Sequence, residues 1–431
     1  MKRLFVVAIL AMFLALPAIT QAGSVTSKYD VSIGGYVKMD LGWQNQNLGP
    51  DVRQAVRGSL PGNQNRYDEY GSLYWYAGQT RLNMRVKGPD AWGAKTSAFI
   101  EGDFRAAPAA GVFGLRHAYM KFDWAQSNLL IGQYWNDWGY IASASIVDDG
   151  LFKPMGRGSR QPQIRYTYNI DKSWSFFLGI FSEYNTLANN TTTVNTQNDN
   201  ARSQLPHFMG EITYKTDACG KIGSFPLRFS LGGFYGKEKK TYRNSPTNTK
   251  WDSDDVNSWS VALTGYVPII PEKKGDKAGA FGLTGAAFIG QNNALYYSNG
   301  PSASYDAALN NTDSLYYSAA ASVNYGGWGQ LSYYITNNVS INGGYGTFSN
   351  NFHPNTFRAV GANAIRTNQH IFANVLWDIN PAIRFGLEYA RIMTGYAAYG
   401  AGTAGTDAAN TNNLDRSGTQ DSVRFAAWYF F

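Results

Sequence analysis

The side chains with the most capacity for chemistry in this chain are charged, and they recur at a spacing of two. Arg81, Arg85 and Lys87 alternate with Leu82, Met84 and Val86, and Lys38 and Asp40 alternate with Val37, Met39 and Leu41. Lys95, Glu101, Asp103 and Arg105 share one parity, as do His117, Tyr119, Lys121 and Asp123; Arg165 is placed with them. Two adjacent carboxylates, Asp148 and Asp149, stand in a polar stretch that continues to Lys153, Arg157 and Arg160. Such groups do not compose a catalytic set. Cations along one face opposing carboxylates supply an electric field, which orients polar solutes and disfavours apolar ones.

Motifs for other chemistry are missing from the sequence. The four histidines, His117, His207, His353 and His370, join no Gly-x-Ser-x-Gly elbow, no His-Glu-x-x-His metal motif and no phosphate loop. The single Cys219 excludes an internal disulfide framework, and no Cys-x-x-Cys-His is present for covalent haem. A net charge of +7 falls to +5 without Lys2 and Arg3, and it includes no basic run suited to nucleic acid. The expectation is no enzyme, no cofactor and no bound metal.

The elements that position these charges begin after a leader. Lys2 and Arg3 precede an unbroken apolar run from Leu4 to Leu16, and Pro17 precedes Thr20-Gln21-Ala22, with small residues placed as a cleavage site needs. Residues 1–22 therefore read as a signal peptide, which sets the remainder, 23–431, outside the cytoplasm as one domain. No later apolar run reaches the ~20 residues of a spanning helix. Composition then favours a membrane barrel over a soluble secreted core. The chain carries 29 Tyr, 24 Phe, 12 Trp and 46 Gly, and its mean hydropathy is below zero. A barrel places aromatics in girdles at the two interfaces and polar residues toward a wet lumen.

Strict alternation over segments of about ten residues, the length of a tilted membrane strand, repeats through the chain. Val31, Ile33, Val37, Met39, Leu41 and Trp43 oppose Tyr36, Lys38 and Asp40. Later sets are Trp174, Phe176, Leu178 and Ile180; Leu227, Phe229, Leu231 and Tyr235; Ile371, Ala373, Val375 and Trp377; and Val423, Phe425, Ala427, Tyr429 and Phe431. Connections alternate between short (88–92, 123–128, 169–172, 336–338, 378–382) and long (44–77, 136–161, 185–206, 237–256, 395–419). Cys219 falls in an expected short turn at 217–225. The count is about sixteen antiparallel strands, with short periplasmic turns and long outer loops. The aromatic terminus Trp428-Tyr429-Phe430-Phe431 is of the kind that outer-membrane assembly machinery recognises.

The chain resembles the DcaP-like trimeric porins. The likeness lies in Gly35-Tyr36-Val37-Lys38-Met39-Asp40, Gln79-Thr80-Arg81-Leu82, Leu115-Arg116-His117-Ala118-Tyr119, Ile131-Gly132-Gln133-Tyr134-Trp135 and Glu388-Tyr389. It implies a sixteen-stranded homotrimer in the outer-membrane lipid, passing small hydrophilic solutes and ions and often serving small organic anions. It also implies that the loop after the fifth strand, 136–161, folds inward. Asp148 and Asp149 would then face Lys38, Arg81, Arg85, Lys121 and Arg165 across a constriction, with Glu101 and Asp103 offsetting part of the field. Two other roles stay open at this point. The barrel could sheathe a haem-bearing partner in a porin-cytochrome electron conduit, or its Asn/Thr-rich loops could bind a surface partner.

Overall fold

A chain that crosses a hydrocarbon layer must satisfy every backbone N–H and C=O within the protein. Among the described residues no helix is long and apolar enough to cross a membrane; the strands carry the architecture. The computed structural model describes residues 29–48, 50, 55, 70–107, 111–136, 141–146, 160–182, 203–243, 251–292, 323–351, 365–396 and 417–431. The segment 1–22 and the carboxylates Asp148 and Asp149 lie outside the described residues.

Seventeen strand segments form one antiparallel sheet. They are β1 (Asp30–Gln44), β2 (Ser72–Tyr76), β3 (Arg81–Lys87), β4 (Lys95–Ala107), β5 (Val112–Asp123), β6 (Ser127–Trp135), β7 (Arg160–Asn169), β8 (Trp174–Phe181) and β9 (His207–Ile222). They continue as β10 (Phe225–Arg243), β11 (Trp251–Ile270), β12 (Phe281–Gln291), β13 (Val323–Tyr334), β14 (Val339–Asn351), β15 (Ile365–Asn380), β16 (Ile383–Tyr396) and β17 (Ser417–Phe430). From β3 onward each pairs with the next in sequence, and β1 closes the ring on β17, from Tyr36 opposite Phe430 to Gln44 opposite Ser422. Segments β2 and β3 both pair with β1, at Asp40–Gln44 and Asp30–Tyr36 respectively. They are two halves of one barrel strand, so the ring holds sixteen positions, as the alternation implied.

The faces divide as the parity requires. Ile33, Val37, Trp43, Leu178, Leu231, Trp377, Leu387 and Tyr429 are exposed on the outer surface. Lys38, Asp40, Gln163, Glu211, Asn342, Asn374 and Glu388 are buried on the inner one. An apolar outer belt with polar groups turned inward is the distribution a barrel needs in lipid.

Three details differ from expectation. The stretch 44–77 is not all loop, because Leu73 and Trp75 alternate with Tyr74 and Tyr76 and pair with the end of β1 as β2. Strands β10 and β11 extend through most of 237–256, pairing Lys237 with Asn257 and Lys239 with Asp255. There Glu238 and Ser258 keep the inward parity, with Ser258 Oγ donating to Glu238 Oε1 at 3.1 Å. The turn expected at 217–225 is shorter. Strand β9 runs on through Cys219 to Ile222, with a register shift where Pro226, which has no N–H to give, meets Leu227.

Candidate functional site

The inner wall has two unlike halves. On β3 to β7 it is cationic. Strand β5 contains an irregularity opposite Glu101 and Gly102: His117 pairs with Glu101, Leu115 with Gly102, and Arg116 is the extra residue. A bulge re-aims a side chain that simple alternation would send to lipid. Arg116 is thereby buried on the inside at 2% exposure. Its Nε donates to Glu101 Oε1 at 3.0 Å, and its Nη1 donates to Asp103. Arg81 Nη1 stands 3.7 Å from the same Glu101 oxygen, and its guanidinium lies over the Tyr36 ring at 5.3 Å. Arg165 is held between the rings of Tyr134 and Phe177, 5.1 Å from each.

Two of the expected cations are open to the lumen. Arg85 is exposed, with the Phe99 ring beneath it at 5.6 Å. Lys121 is about a third exposed and pairs with Asp123 at 2.6 Å. Arginine and lysine outnumber carboxylates on this wall, so the offset from Glu101 and Asp103 is partial.

The other half, from β8 round to β16, mixes amides and hydroxyls with apolar groups. Phe177, Phe181, Met209, Phe234, Phe288 and Phe348 form one buried cluster there, and Ala286, Trp328, Phe372, Ala390 and Ile392 form a second with Ala55. A uniformly polar inner surface was the expectation. On β8 the outward set Trp174, Phe176, Leu178 and Ile180 is interleaved with inward Phe177 and Phe181, so the strand is apolar on both faces.

The connection after β6 crosses to this half. Ala144 N donates to Gln330 Oε1 at 2.6 Å, and Asn374 Nδ2 donates to Ala144 O at 2.7 Å. Ser145 Oγ and Ile146 N donate to the two oxygens of Glu388 at 2.9 and 2.8 Å. Lys38 Nζ donates to Ile146 O at 2.7 Å. Gln330 is on β13, which lies seven strands round the ring from β6 and so almost opposite it. Residues 141–146 of this connection are therefore docked on the wall almost opposite β6. Gly386 makes the approach possible, since a Cβ there would lie 2.9 Å from Ile146 Cγ2.

Lys38 has a different place from the one expected. It is 1% exposed, bonded to Gln79 and 3.2 Å from Asp40 Oδ1, with the Trp428 ring 4.9 Å away. It braces the crossing segment and does not line open water. Sequence reasoning also missed Arg116, Gln330 and Asn374 and gave Glu388 no role. Only the bulge and the long-range docking reveal them.

A closed sixteen-stranded antiparallel barrel with an apolar outer belt has the fold of an outer-membrane porin. No family model matches the chain, and no curated protein matches it. Solved structures do. The outer membrane channel DcaP of Acinetobacter baumannii superposes with a TM-score of 0.64 at 19% identity, covering 94% of this chain and 99% of that one. An anion-selective porin from Comamonas acidovorans gives 0.53 at 11% identity over 94% and 100%. The trimer form of Vibrio cholerae OmpT gives 0.51 at 12% identity over 94% and 100%. The likeness to DcaP expected from short motifs is thus present in the fold.

Proposed function

We propose that this chain is a porin of the bacterial outer membrane. It forms homotrimers and passes small hydrophilic solutes and ions by passive diffusion, with a preference for small organic anions. One observation carries the reading: the third outer connection docks on Gln330, Asn374 and Glu388, which narrows the lumen from one side and leaves the remaining passage facing the cationic wall. Exposed Arg85 and Lys121 are cations a solute meets toward the short-turn end of the lumen. Asp148 and Asp149 follow the docked Ile146 by two and three residues, and in this reading they face the basic wall and set the transverse field. The trimeric OmpT and the anion-selective Comamonas porin support the oligomer and the ion preference by analogy of fold. Residues 1–22 act as the export leader, and intact mass of the mature protein checks their removal. Reversal potentials across planar bilayers in a salt gradient test the function. Anion preference is the expected result, and a reversal potential favouring cations overturns it.

A further inference from the structure

The chain that leaves β1 also enters the lumen. Gln420 Nε2 donates to Gln44 Oε1 at 2.9 Å, and Asp421 N donates to Asn45 Oδ1 at 2.8 Å, while Asn45 N donates back to Asp421 O. Arg424 reaches Tyr74 Oη at 2.7 Å and also bonds the carbonyl of Pro50. Farther on, Ala55 is 0% exposed. Its N–H donates to Thr394 Oγ1 at 2.9 Å, and its carbonyl accepts from Tyr396 Oη at 2.5 Å. Its methyl joins the cluster of Trp328, Phe372 and Ile392, against which Leu48 and Ile141 pack.

The seat is specific in three ways. Both backbone groups of Ala55 are satisfied by wall side chains that project into the lumen, so the residue is held by directional bonds as well as by burial. Only a small side chain fits among the aromatic groups. Leu48, before Ala55, and Ile141, from the crossing connection, pack on the same cluster, so the two connections share one support on β12 to β16.

We propose that Ala55, seated by Thr394 and Tyr396, narrows the lumen together with Leu48 and Pro50 and is a second determinant of the solute size the channel admits. The inference rests on the porin reading and deepens it. In Ala55→Glu, the carboxylate cannot enter the apolar cluster and the segment leaves its seat. Single-channel conductance of the purified oligomer then rises about twofold, with larger uncharged sugars admitted in liposome swelling, since conduction follows the open section of the pore. The paired change Thr394→Val and Tyr396→Phe removes the seat's bonds without adding charge, and produces the same shift if Ala55→Glu does not fold; heat-modifiable electrophoretic mobility reports folding. Folded seat variants with unchanged conductance and sugar limit overturn the proposal. A wild-type protein that conducts no ions fails the porin reading itself, which separates the two.

Discussion

Lys38 and Arg85 have the same charge and the same inward parity but opposite surroundings. Lys38 is enclosed with Asp40 and the Ile146 carbonyl, whereas Arg85 meets solvent. Removing one member of a buried ion pair leaves the other uncompensated and costs about 3–5 kcal/mol. Lys38→Met is therefore expected to lower the thermal unfolding midpoint of the detergent-purified protein substantially. Arg85→Gln should leave stability within about 0.5 kcal/mol, as exposed substitutions do, yet move the reversal potential toward cations. A pair of unfolding scans and a pair of bilayer measurements distinguish these two roles. Arg116 belongs with Lys38. Its loss takes the guanidinium from Asp103 and leaves Glu101 with the more distant Arg81, so stability is expected to fall together with anion preference.

At the scale of elements, the crossing connection and β16 are joined at one carboxylate and one glycine. Glu388→Ala deprives Ser145 Oγ, Ile146 N and Asn374 Nδ2 of their acceptors, each costing about 1–3 kcal/mol if it stays buried and unsatisfied. Release of the segment avoids that cost, so the expected outcome is a larger, noisier single-channel current. Gly386→Val reaches the same state by steric pressure on Ile146. If both variants fold and conduct as wild type does, the docked segment does not limit the pore. The outer face obeys a separate rule. Leu178 is midway along β8 and 62% exposed, and an arginine near the bilayer midplane costs about 2–4 kcal/mol. Leu178→Arg should reduce folding yield into lipid vesicles without altering the ion selectivity of the molecules that do fold.

On the proposed reading the whole molecule sorts ions through a field summed over one side of the lumen, and such a field is screened by salt. The Debye length falls from about 10 Å at 0.1 M to about 3 Å at 1 M. Anion-to-cation permeability should accordingly approach that of free solution as salt rises, while conductance grows in proportion to concentration. Selectivity that persisted unchanged at 1 M would indicate direct ligation of ions and exclude a field of this kind. The closed ring also accounts for the two-sided inner surface. Cations cluster on β3 to β7, and the apolar clusters with their amide neighbours supply docking ground on β8 to β16. A loop leaving one half finds its partners on the other.

What the chain determined by itself is the set of local periodicities. Side chains of a strand alternate faces whatever the partner strand, so Val37 against Lys38 and Leu387 against Glu388 assign the lipid side and the lumen side before any strand is paired. Length and parity together were enough for the barrel and its sixteen positions. The break between β2 and β3 and the overlong β10 and β11 were hidden, since polar residues there read equally as loop. Tertiary structure alone decided which inward charges meet water. The pairing of β4 with β5 introduces the bulge at Arg116, and contacts between residues 108 and 243 positions apart in sequence bury Lys38 and occupy Glu388. Parity states which way a side chain points. Whether another segment arrives to cover it depends on closure of the ring, which no local pattern encodes.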